Sequence, residues 1–261
     1  NDLKDTSMEP TFNFWDNMAK RYPRFNDASM SKDVGHILNW CQNKNVSFEG
    51  ASILDIGAGT GAIAIPLAQK GAQVVAMDIS EGMLAALNED AKEEGLSSKI
   101  QTYQSDWDAF PVNQKFDIVI ASMTPAISDN QKIDKMLSAT RGLGIYVGWG
   151  KYRINKLVEA LVEAHKVVEE DCASAGCIKA YQFMEILKEK NIPFESDFFA
   201  TAWTDTYTFD EAKEYAYDQL KRKDITPNEA IVESILATFM KDGKVHVTTE
   251  AEKGMILWKA A

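Results

Sequence analysis

Cysteine, histidine and clustered positive charge are scarce in this sequence. Three cysteines and three histidines occur among 261 residues, and 28 lysines and arginines face 39 aspartates and glutamates. Three cysteines cannot form a disulfide framework, so a reducing compartment, the cytoplasm, is expected. The net charge is −11, and no block of the sequence is rich in lysine and arginine. Because such a surface repels phosphates, nucleic acid is not predicted as a partner.

Long apolar runs are also missing. No segment approaches the ~20 apolar residues that cross a bilayer, and no signal-peptide pattern occurs, so no membrane partner is predicted. The hydrophobic fraction of 45% and the charged fraction of 26% are typical of a globular protein. The length suits one large α/β domain with an insertion. Nothing in the composition specifies an oligomeric state.

Three potential zinc ligands, His165, Cys172 and Cys177, lie close together in the later half of the chain. They include no C-x-x-C pair and no clear fourth ligand. Helical spacing alone accounts for His165 and Cys172 as neighbours, so no metal site is predicted.

The most informative stretch joins an apolar run to a turn rich in glycine. The run predicts a strand that contains Asp55, and Gly57, Gly59 and Gly61 follow before a helical pattern. A strand, a glycine turn and a helix N-terminus together predict a nucleotide-type site. The same turn also satisfies the G-x-G-x-x-A spacing of dinucleotide folds. Asp55 argues against NAD, because a carboxylate there repels a pyrophosphate and suits a cationic amino group.

Two more predicted strands end at an acid. Residues 72–77 are followed by Asp78, and residues 99–103 are followed three residues later by Asp106. An acid that closes the second strand can accept charge-assisted hydrogen bonds from both hydroxyls of a ribose. Fold stability does not require all three acids, and a dinucleotide site has no use for the first. The trio is therefore the strongest indication of function in the sequence.

Four short motifs occur at the predicted strand ends and in an N-terminal helix. They are W-D-x-x-A-x-x-Y from Trp15, D-I-G-A-G-T-G from Asp55, D-I-S-x-x-M-L from Asp78 and S-D-W from Ser105. Together they resemble the class I S-adenosylmethionine-dependent methyltransferases, of the small-molecule type that includes enzymes of quinone biosynthesis. The resemblance covers about residues 11–148.

The resemblance implies an α/β fold and a division of the chain. The fold is a seven-stranded, mostly parallel, doubly wound sheet with N-terminal helices and a helical insertion before the last strand. Residues 1–50 form a helical cap, and residues 51–208 with 242–261 form the cofactor-binding domain. Residues 209–241 form the insertion, a lid over the pocket.

The cofactor implied by the resemblance is S-adenosylmethionine. In this family an acid at the place of Asp106 accepts from the adenine amino group, its neighbour Trp107 stacks on the ring, and the N-terminal helix folds over the cofactor. The implied cofactor-binding residues are Tyr22, Asp55, Gly57, Ala58, Gly59, Thr60, Gly61, Asp78, Ile79, Met83, Asp106, Trp107 and Ser122.

The acceptor is predicted to be a small organic molecule. The turn after the fourth strand reads Ser122-Met123-Thr124-Pro125 and lacks the P-P-Y/F of enzymes that methylate bases or glutamine. Large aromatics at later strand ends predict a pocket wall with polar tips. The predicted acceptor-binding residues are Trp15, Met123, Thr124, Trp149, Tyr152, Trp203 and Tyr207.

No catalytic residue is assigned. An in-line displacement on an activated methyl group needs neither metal nor covalent nucleophile, and His165, Tyr22 and Tyr207 stay open as a general base. The alternatives are a cofactor-binding module without catalysis and a nicotinamide-dependent oxidoreductase. A further alternative keeps methyl transfer but directs it to a protein or a nucleic acid.

Overall fold

The computed structural model describes residues 9–165 and 178–260 of the chain. Two helices precede the first strand, and strands and helices then alternate. The elements of the first part are α1 (Glu9–Ala19), α2 (Ala28–Asn43), β1 (Ser52–Ile56), α3 (Ala64–Gln69), β2 (Gln73–Asp78), α4 (Glu81–Glu93), β3 (Ile100–Gln104), β4 (Phe116–Ser122) and α5 (Asn130–Ala139). Those of the second part are β5 (Thr140–Asn155), α6 (Lys156–Ala164), α7 (Ala180–Glu189), β6 (Phe194–Tyr207), α8 (Phe209–Lys221), α9 (Glu229–Thr238), β7 (Met240–Lys241) and β8 (Lys244–Lys259).

The strands form one sheet in the order β3-β2-β1-β4-β5-β8-β6, and β7 pairs with β8. The first five strands in this order pair in parallel. The order reverses between β1 and β4, which is where open α/β sheets bind ligands at their carboxyl edge. The predicted fold class is confirmed.

Strand boundaries differ from the predictions mainly in the second part. The sequence predicts a fifth strand over residues 144–148 and two closing strands over residues 245–249 and 255–258. The structure instead has β5 from Thr140 to Asn155 and one continuous closing strand, β8, from Lys244 to Lys259. Residues 245–251 of β8 alternate between buried and half-buried positions. The segment from Glu250 to Gly254 therefore continues the strand, because Ala251 still contributes to the period-two pattern of a one-sided sheet.

The chain divides into two compact units. The larger comprises residues 1–148, 176–198 and 254–261, and the smaller comprises residues 149–175 and 199–253. Strands β5, β6 and β8 contribute residues to both. The predicted lid, residues 209–241, falls within the smaller unit, and its role as a lid stays a prediction.

Each unit has its own apolar core. In the larger unit, buried residues of β1 and β4 pack with aromatic side chains such as Trp258 and Phe183. In the smaller unit, Leu161 of α6 packs with Leu236 of α9 and Val245 of β8. No helix in the described ranges is both long and apolar enough to cross a bilayer.

Candidate functional site

The glycine turn after β1 is held in a left-handed backbone conformation. Gly57, Gly59 and Gly61 have φ values of 70°, 54° and 87°. Residues that carry a Cβ rarely adopt this backbone conformation. A Cβ added at Gly57 would overlap the Thr124 side chain in the turn after β4, whereas one at Gly59 would meet no heavy atom within 4 Å. Gly57 therefore allows two turns to pack together, and Gly59 borders open space at the strand edge.

Asp55 lies beneath this turn as a buried carboxylate. It is 2% exposed, and its Oδ2 has no hydrogen-bond partner within the described part of the chain. Burial, and secondarily the charge of Asp78, raises the pKa of Asp55 to about 7. An unpaired buried carboxylate is costly unless a donor or cation reaches it. The site therefore fits a ligand that brings a cationic amino group.

Asp78 closes β2 and organises the turn next to it. Its Oδ2 accepts the N–H of Gly59 at 2.8 Å and its Oδ1 accepts the N–H of Ser80 at 2.9 Å. Burial raises the pKa of Asp78, and these backbone donors oppose the rise. Because each carboxylate oxygen has two acceptor positions, Asp78 retains capacity for ligand hydroxyls.

Asp16 is a site-forming residue that sequence reasoning missed. The Ser80 hydroxyl donates to Asp16 Oδ1 at 2.5 Å, and the N–H of Gly82 donates to the same oxygen at 3.0 Å. Asp16 thus places a negative charge at the N-terminus of α4, where the helix dipole and free N–H groups favour it. The sequence feature that could have identified Asp16 is the W-D motif, in which it directly follows Trp15.

The segment after α1 is tied to the glycine turn and to α4. The Thr60 hydroxyl donates to the carbonyl of Pro23 at 2.7 Å, and the guanidinium of Arg24 bonds both carboxylate oxygens of Asp90. Tyr22 packs edge-to-face on Trp15, with ring centroids 6.3 Å apart. The structure therefore brings Tyr22 and Trp15 together on a segment anchored at the predicted site, and their contacts to ligands stay predictions.

The third acid, Asp106, follows β3 as predicted. Its Oδ1 accepts the N–H of Asp108 at 2.8 Å, so the carboxylate stabilises the turn. The predicted stacking of Trp107 on an adenine ring is wrong, because the indole is 1% exposed. One face stacks on Phe110, and the ammonium of Lys135 lies 4.7 Å from the ring centroid. A tryptophan that follows a turn acid is here a core residue.

Met83, another predicted cofactor contact, lies in the first turn of α4, and its role stays a prediction. Its side chain is 2% exposed and belongs to the packing of α4, and its N–H donates to the capping Ser80 oxygen at 3.1 Å. The other predicted residues along the turn differ in exposure. Ala58 and Thr60 are buried, and Ile79 is half-buried directly after Asp78.

The turn after β4 carries a strained residue at the same edge. Met123 has φ 53°, a conformation that costs a non-glycine residue about 1 kcal/mol, and its N–H donates to the carbonyl of Val147 at 2.8 Å. Thr124 is buried beside Gly57, and Ser122 is half-buried at the end of β4. Strain of this kind collects at functional sites, which supports the predicted role of this turn.

Four predicted acceptor-binding aromatics, Trp149, Tyr152, Trp203 and Tyr207, lie in the smaller unit. Trp149 stacks on Trp203, with centroids 6.3 Å apart, and Tyr207 stacks on Tyr215 at 5.4 Å. Tyr152 is 38% exposed. The structure thus pairs Trp149 with Trp203 and stacks Tyr207 on Tyr215, and the contact of the four predicted aromatics with an acceptor stays a prediction.

His165 has a structural role in the smaller unit. Its Nε2 accepts the N–H of Asn228 at 3.1 Å, and its Nδ1 lies 2.7 Å from the carbonyl of Leu161. Both ring nitrogens are therefore engaged, and His165 is a poor general base. Cys172 and Cys177, considered with His165 as zinc ligands, lie outside the described residues. Within the described ranges, no three histidine, cysteine or acidic side chains are grouped to hold a metal.

Comparisons with known proteins agree with this geometry. A family described as a methyltransferase domain matches residues 53–143. A demethylmenaquinone methyltransferase of Bacteroides fragilis is 30% identical over 142 residues, 52% of this chain and 54% of that protein. A tRNA1(Val) (adenine(37)-N6)-methyltransferase of Actinobacillus pleuropneumoniae is 33% identical over 73 residues, 27% of this chain and 31% of that protein. The chain thus spans about half or less of the curated relatives it matches.

A solved structure extends the likeness to nearly the whole fold. Magnesium protoporphyrin IX methyltransferase from Synechocystis PCC 6803, with bound SAH, superposes with a TM-score of 0.54 at 17% identity. The match covers 93% of this chain and 94% of that one. At this identity the likeness concerns the fold alone.

Proposed function

We propose that this chain, which carries a class I methyltransferase domain, binds S-adenosylmethionine and transfers its methyl group to a small organic molecule. The observation that carries the proposal is the buried Oδ2 of Asp55, which has no partner among the described residues. It lies at the strand edge where Asp78 and the glycine turn also meet. An amino group with a positive charge would neutralise and hydrogen-bond that oxygen.

The chain's own residues divide the work of holding the cofactor. Asp55 would face the cationic amino group, and Asp78 would accept from the ribose hydroxyls. Gly59 leaves the backbone open to close approach, since a Cβ there would project into open space. Asp106, whose turn follows β3, would accept from the adenine amino group.

When bound, S-adenosylmethionine supplies a methyl group already activated by the positive charge of its sulfonium. The chain is left with the tasks of alignment and exclusion of water. Alignment can contribute on the order of 7–11 kcal/mol to such a reaction. No residue is therefore required to generate a strong nucleophile. Trp15 and Tyr22, which pack edge-to-face, are suited to shielding the site.

Two observations support a small organic acceptor. The net charge of −11 disfavours nucleic acid, and the turn at Ser122 lacks the P-P-Y/F typical of base and glutamine methylation. A relative is named for demethylmenaquinone. Because another relative is named for a tRNA adenine, tRNA belongs in the test as a competing acceptor.

Calorimetry with S-adenosylmethionine, S-adenosylhomocysteine and NADH tests the cofactor. The wild type should bind the first two and not NADH. Asp78→Ala should bind roughly 30- to 1,000-fold more weakly, because two charge-assisted hydrogen bonds of about 1.5–3 kcal/mol each are lost before water compensates. Asp78→Asn, which keeps the shape, separates charge from turn geometry. Asp134→Ala is the matched control, since its carboxylate pairs with Lys190 on the surface.

The acceptor is tested by S-adenosylhomocysteine formation with hydroxylated naphthoquinones, bulk tRNA and ribosomal protein. Turnover only with the small molecules is expected. Turnover with tRNA or protein alone would redirect the acceptor class, and tight NADH binding would favour the oxidoreductase. Cofactor binding with no turnover on any acceptor would favour a non-catalytic module.

A further inference from the structure

Asp16, on α1, is linked by hydrogen bonds to the strand end that carries Asp78. Its Oδ1 accepts from the Ser80 hydroxyl at 2.5 Å and from the N–H of Gly82 at 3.0 Å. The N–H of Ser80 in turn donates to Asp78 Oδ1 at 2.9 Å. We call Asp16, Ser80 and Asp78 the hydrogen-bond relay. It connects α1 to the carboxylate that would bind the ribose of the cofactor.

The segment that carries Asp16 is anchored along α4, from the first turn of that helix toward its end. A Cβ added at Gly82 would lie only 3.1 Å from the Cβ of Ala19, so α1 packs closely on the first turn. Farther along α4, the Nε of Arg24 donates to Asp90 Oδ2 at 2.7 Å. Because the segment is anchored at both places, Asp16 offers Ser80 an acceptor in a fixed position.

The two carboxylate oxygens of Asp78 are held by different parts of the larger unit. Oδ1 accepts the N–H of Ser80, and Oδ2 accepts the N–H of Gly59 at 2.8 Å. Each oxygen keeps a second acceptor position, and the two backbone donors fix the direction in which that position points. The Oδ1 side of this arrangement leads to Asp16, whereas the Oδ2 side leads to the glycine turn.

Helix capping accounts for only part of these contacts. The Oγ of Ser80 already caps α4 by accepting the N–H of Met83 at 3.1 Å. The same hydroxyl is fully buried and needs an acceptor for its own proton, which Asp16 supplies from outside the helix. Burial first, and the charge of Asp16 in addition, raise the pKa of Asp78. The carboxylates of Asp16 and Asp78 are therefore close enough to interact.

We propose that Asp16 is a positioning residue of the cofactor site, which acts through Ser80 to aim Asp78 Oδ1 at a hydroxyl of the ribose. A functional side chain keeps its geometry when its own hydrogen-bond partners are fixed in turn, and a small displacement of such a group is costly. The ligand that fits is a nucleoside whose ribose carries both hydroxyls. This inference rests on the proposed binding of S-adenosylmethionine, since it assigns a role within that same site.

Calorimetry with the full chain tests the proposal, with S-adenosylhomocysteine and its 2′-deoxy and 3′-deoxy analogues as probes. The wild type should bind S-adenosylhomocysteine about tenfold or more tightly than either analogue, because each analogue lacks one hydroxyl that Asp78 would accept. Asp16→Ala should reduce at least one of these two preferences by about threefold or more. A purely structural role would weaken binding of all three ligands equally and leave both preferences unchanged.

Two further variants separate the relay from general destabilisation. Asp16→Asn keeps an acceptor oxygen and should retain the wild-type preferences. Ser80→Ala interrupts the relay and should reduce the same preference as Asp16→Ala, with no further reduction in the double variant. Asn17→Ala, on the exposed side of α1, is the matched control and should keep both preferences. Unfolding midpoints of all variants are measured, and Ser80→Ala decides if Asp16→Ala is unfolded.

The outcomes distinguish this inference from the proposed function. If the wild type binds S-adenosylhomocysteine and Asp16→Ala retains both preferences, the positioning role is wrong and the proposed function stands. The same holds if the wild type binds all three ligands equally, or if Asp16→Asn loses the preference as fully as Asp16→Ala does. A wild type that binds neither S-adenosylhomocysteine nor S-adenosylmethionine overturns the proposed function itself.

Discussion

The carboxylates of Asp55 and Asp78 lie at the ends of two paired parallel strands, and each is buried. The register pairs Ile56 with Met77, so the acids occupy one edge. Burial and the charge of Asp78 raise the pKa of Asp55. A site that holds two buried acids is costly to maintain without a ligand, and this cost has consequences that can be measured.

The first prediction concerns the pH dependence of stability. The pKa of Asp55 rises from 3.8 to about 7 in the folded protein, so the folded state binds more protons than the unfolded state between these values. Stability of the ligand-free protein should therefore fall as pH rises from about 4 to about 7, by on the order of 2–4 kcal/mol from this group. Urea unfolding at a series of pH values measures the effect.

Asp55→Asn is the informative variant for this prediction. It should flatten the pH dependence and raise the stability of the ligand-free protein near neutral pH, while it weakens S-adenosylmethionine binding. Asp134→Asn, on the surface of α5, should change neither. A pH profile for Asp55→Asn identical to that of the wild type would contradict the assignment.

The sequence predicts a site residue where the pattern that indicates it lies among neighbouring residues, and it fails where the contacts join residues that are distant in sequence. The acids Asp55 and Asp78 could be predicted, because each directly ends or nearly ends an apolar run, and parallel strands bring their carboxyl ends to one edge. The sheet could be predicted for the same reason. The role of Asp16 could not, since Ser80 and Gly82 lie 64 and 66 residues away in sequence.

The burial of Trp107 and the continuity of β8 could not be predicted either, and the reason is different. A tryptophan after a turn can point to the core or to the ligand edge, and only the packing against Phe110 and Lys135 decides between them. The charged run from Glu250 to Lys253 looks like a loop from its polarity alone. It is a strand because Ala251 is buried and the run pairs within the sheet.

The second prediction concerns the docking of α1. Asp16→Ala removes the acceptor of two hydrogen bonds at the N-terminus of α4, and should destabilise the protein by about 1–2 kcal/mol. A double-mutant cycle with Ser80→Ala, followed by urea unfolding, should show coupling of about 0.5 kcal/mol or more. Asn17→Ala, the exposed neighbour of Asp16, is the control. Additive effects of Asp16→Ala and Ser80→Ala would refute the contact.

The third prediction separates structure from ligand binding at Trp107. Trp107→Phe keeps an aromatic ring but loses the bond from Nε1 to the carbonyl of Lys132, 3.1 Å in length. It should lower stability by about 1–2 kcal/mol and leave S-adenosylmethionine affinity within about threefold, under ~0.7 kcal/mol. Calorimetry and thermal unfolding measure the two effects. A variant with wild-type stability and much weaker cofactor binding would restore the stacking role.

The last prediction contrasts two glycines of one turn that have the same sign of φ and different surroundings. Gly57→Ala drives a Cβ into Thr124, whereas Gly59→Ala places it in open space. Both substitutions should lower the free energy of unfolding by about 1–2 kcal/mol because of the left-handed backbone. Gly57→Ala should lower it by at least ~2 kcal/mol more, because the added Cβ disrupts a close-packed contact. Gly59→Ala should fold and yet bind S-adenosylmethionine at least about tenfold more weakly, since its methyl group occupies space next to the Asp78 hydrogen bond. Unfolding and calorimetry of the two variants side by side test this, and Gly95→Ala, with φ 71° and no neighbour within 4 Å, measures the backbone effect alone. If Gly59→Ala binds the cofactor as tightly as Gly95→Ala does, the open space at Gly59 is not where the ligand approaches.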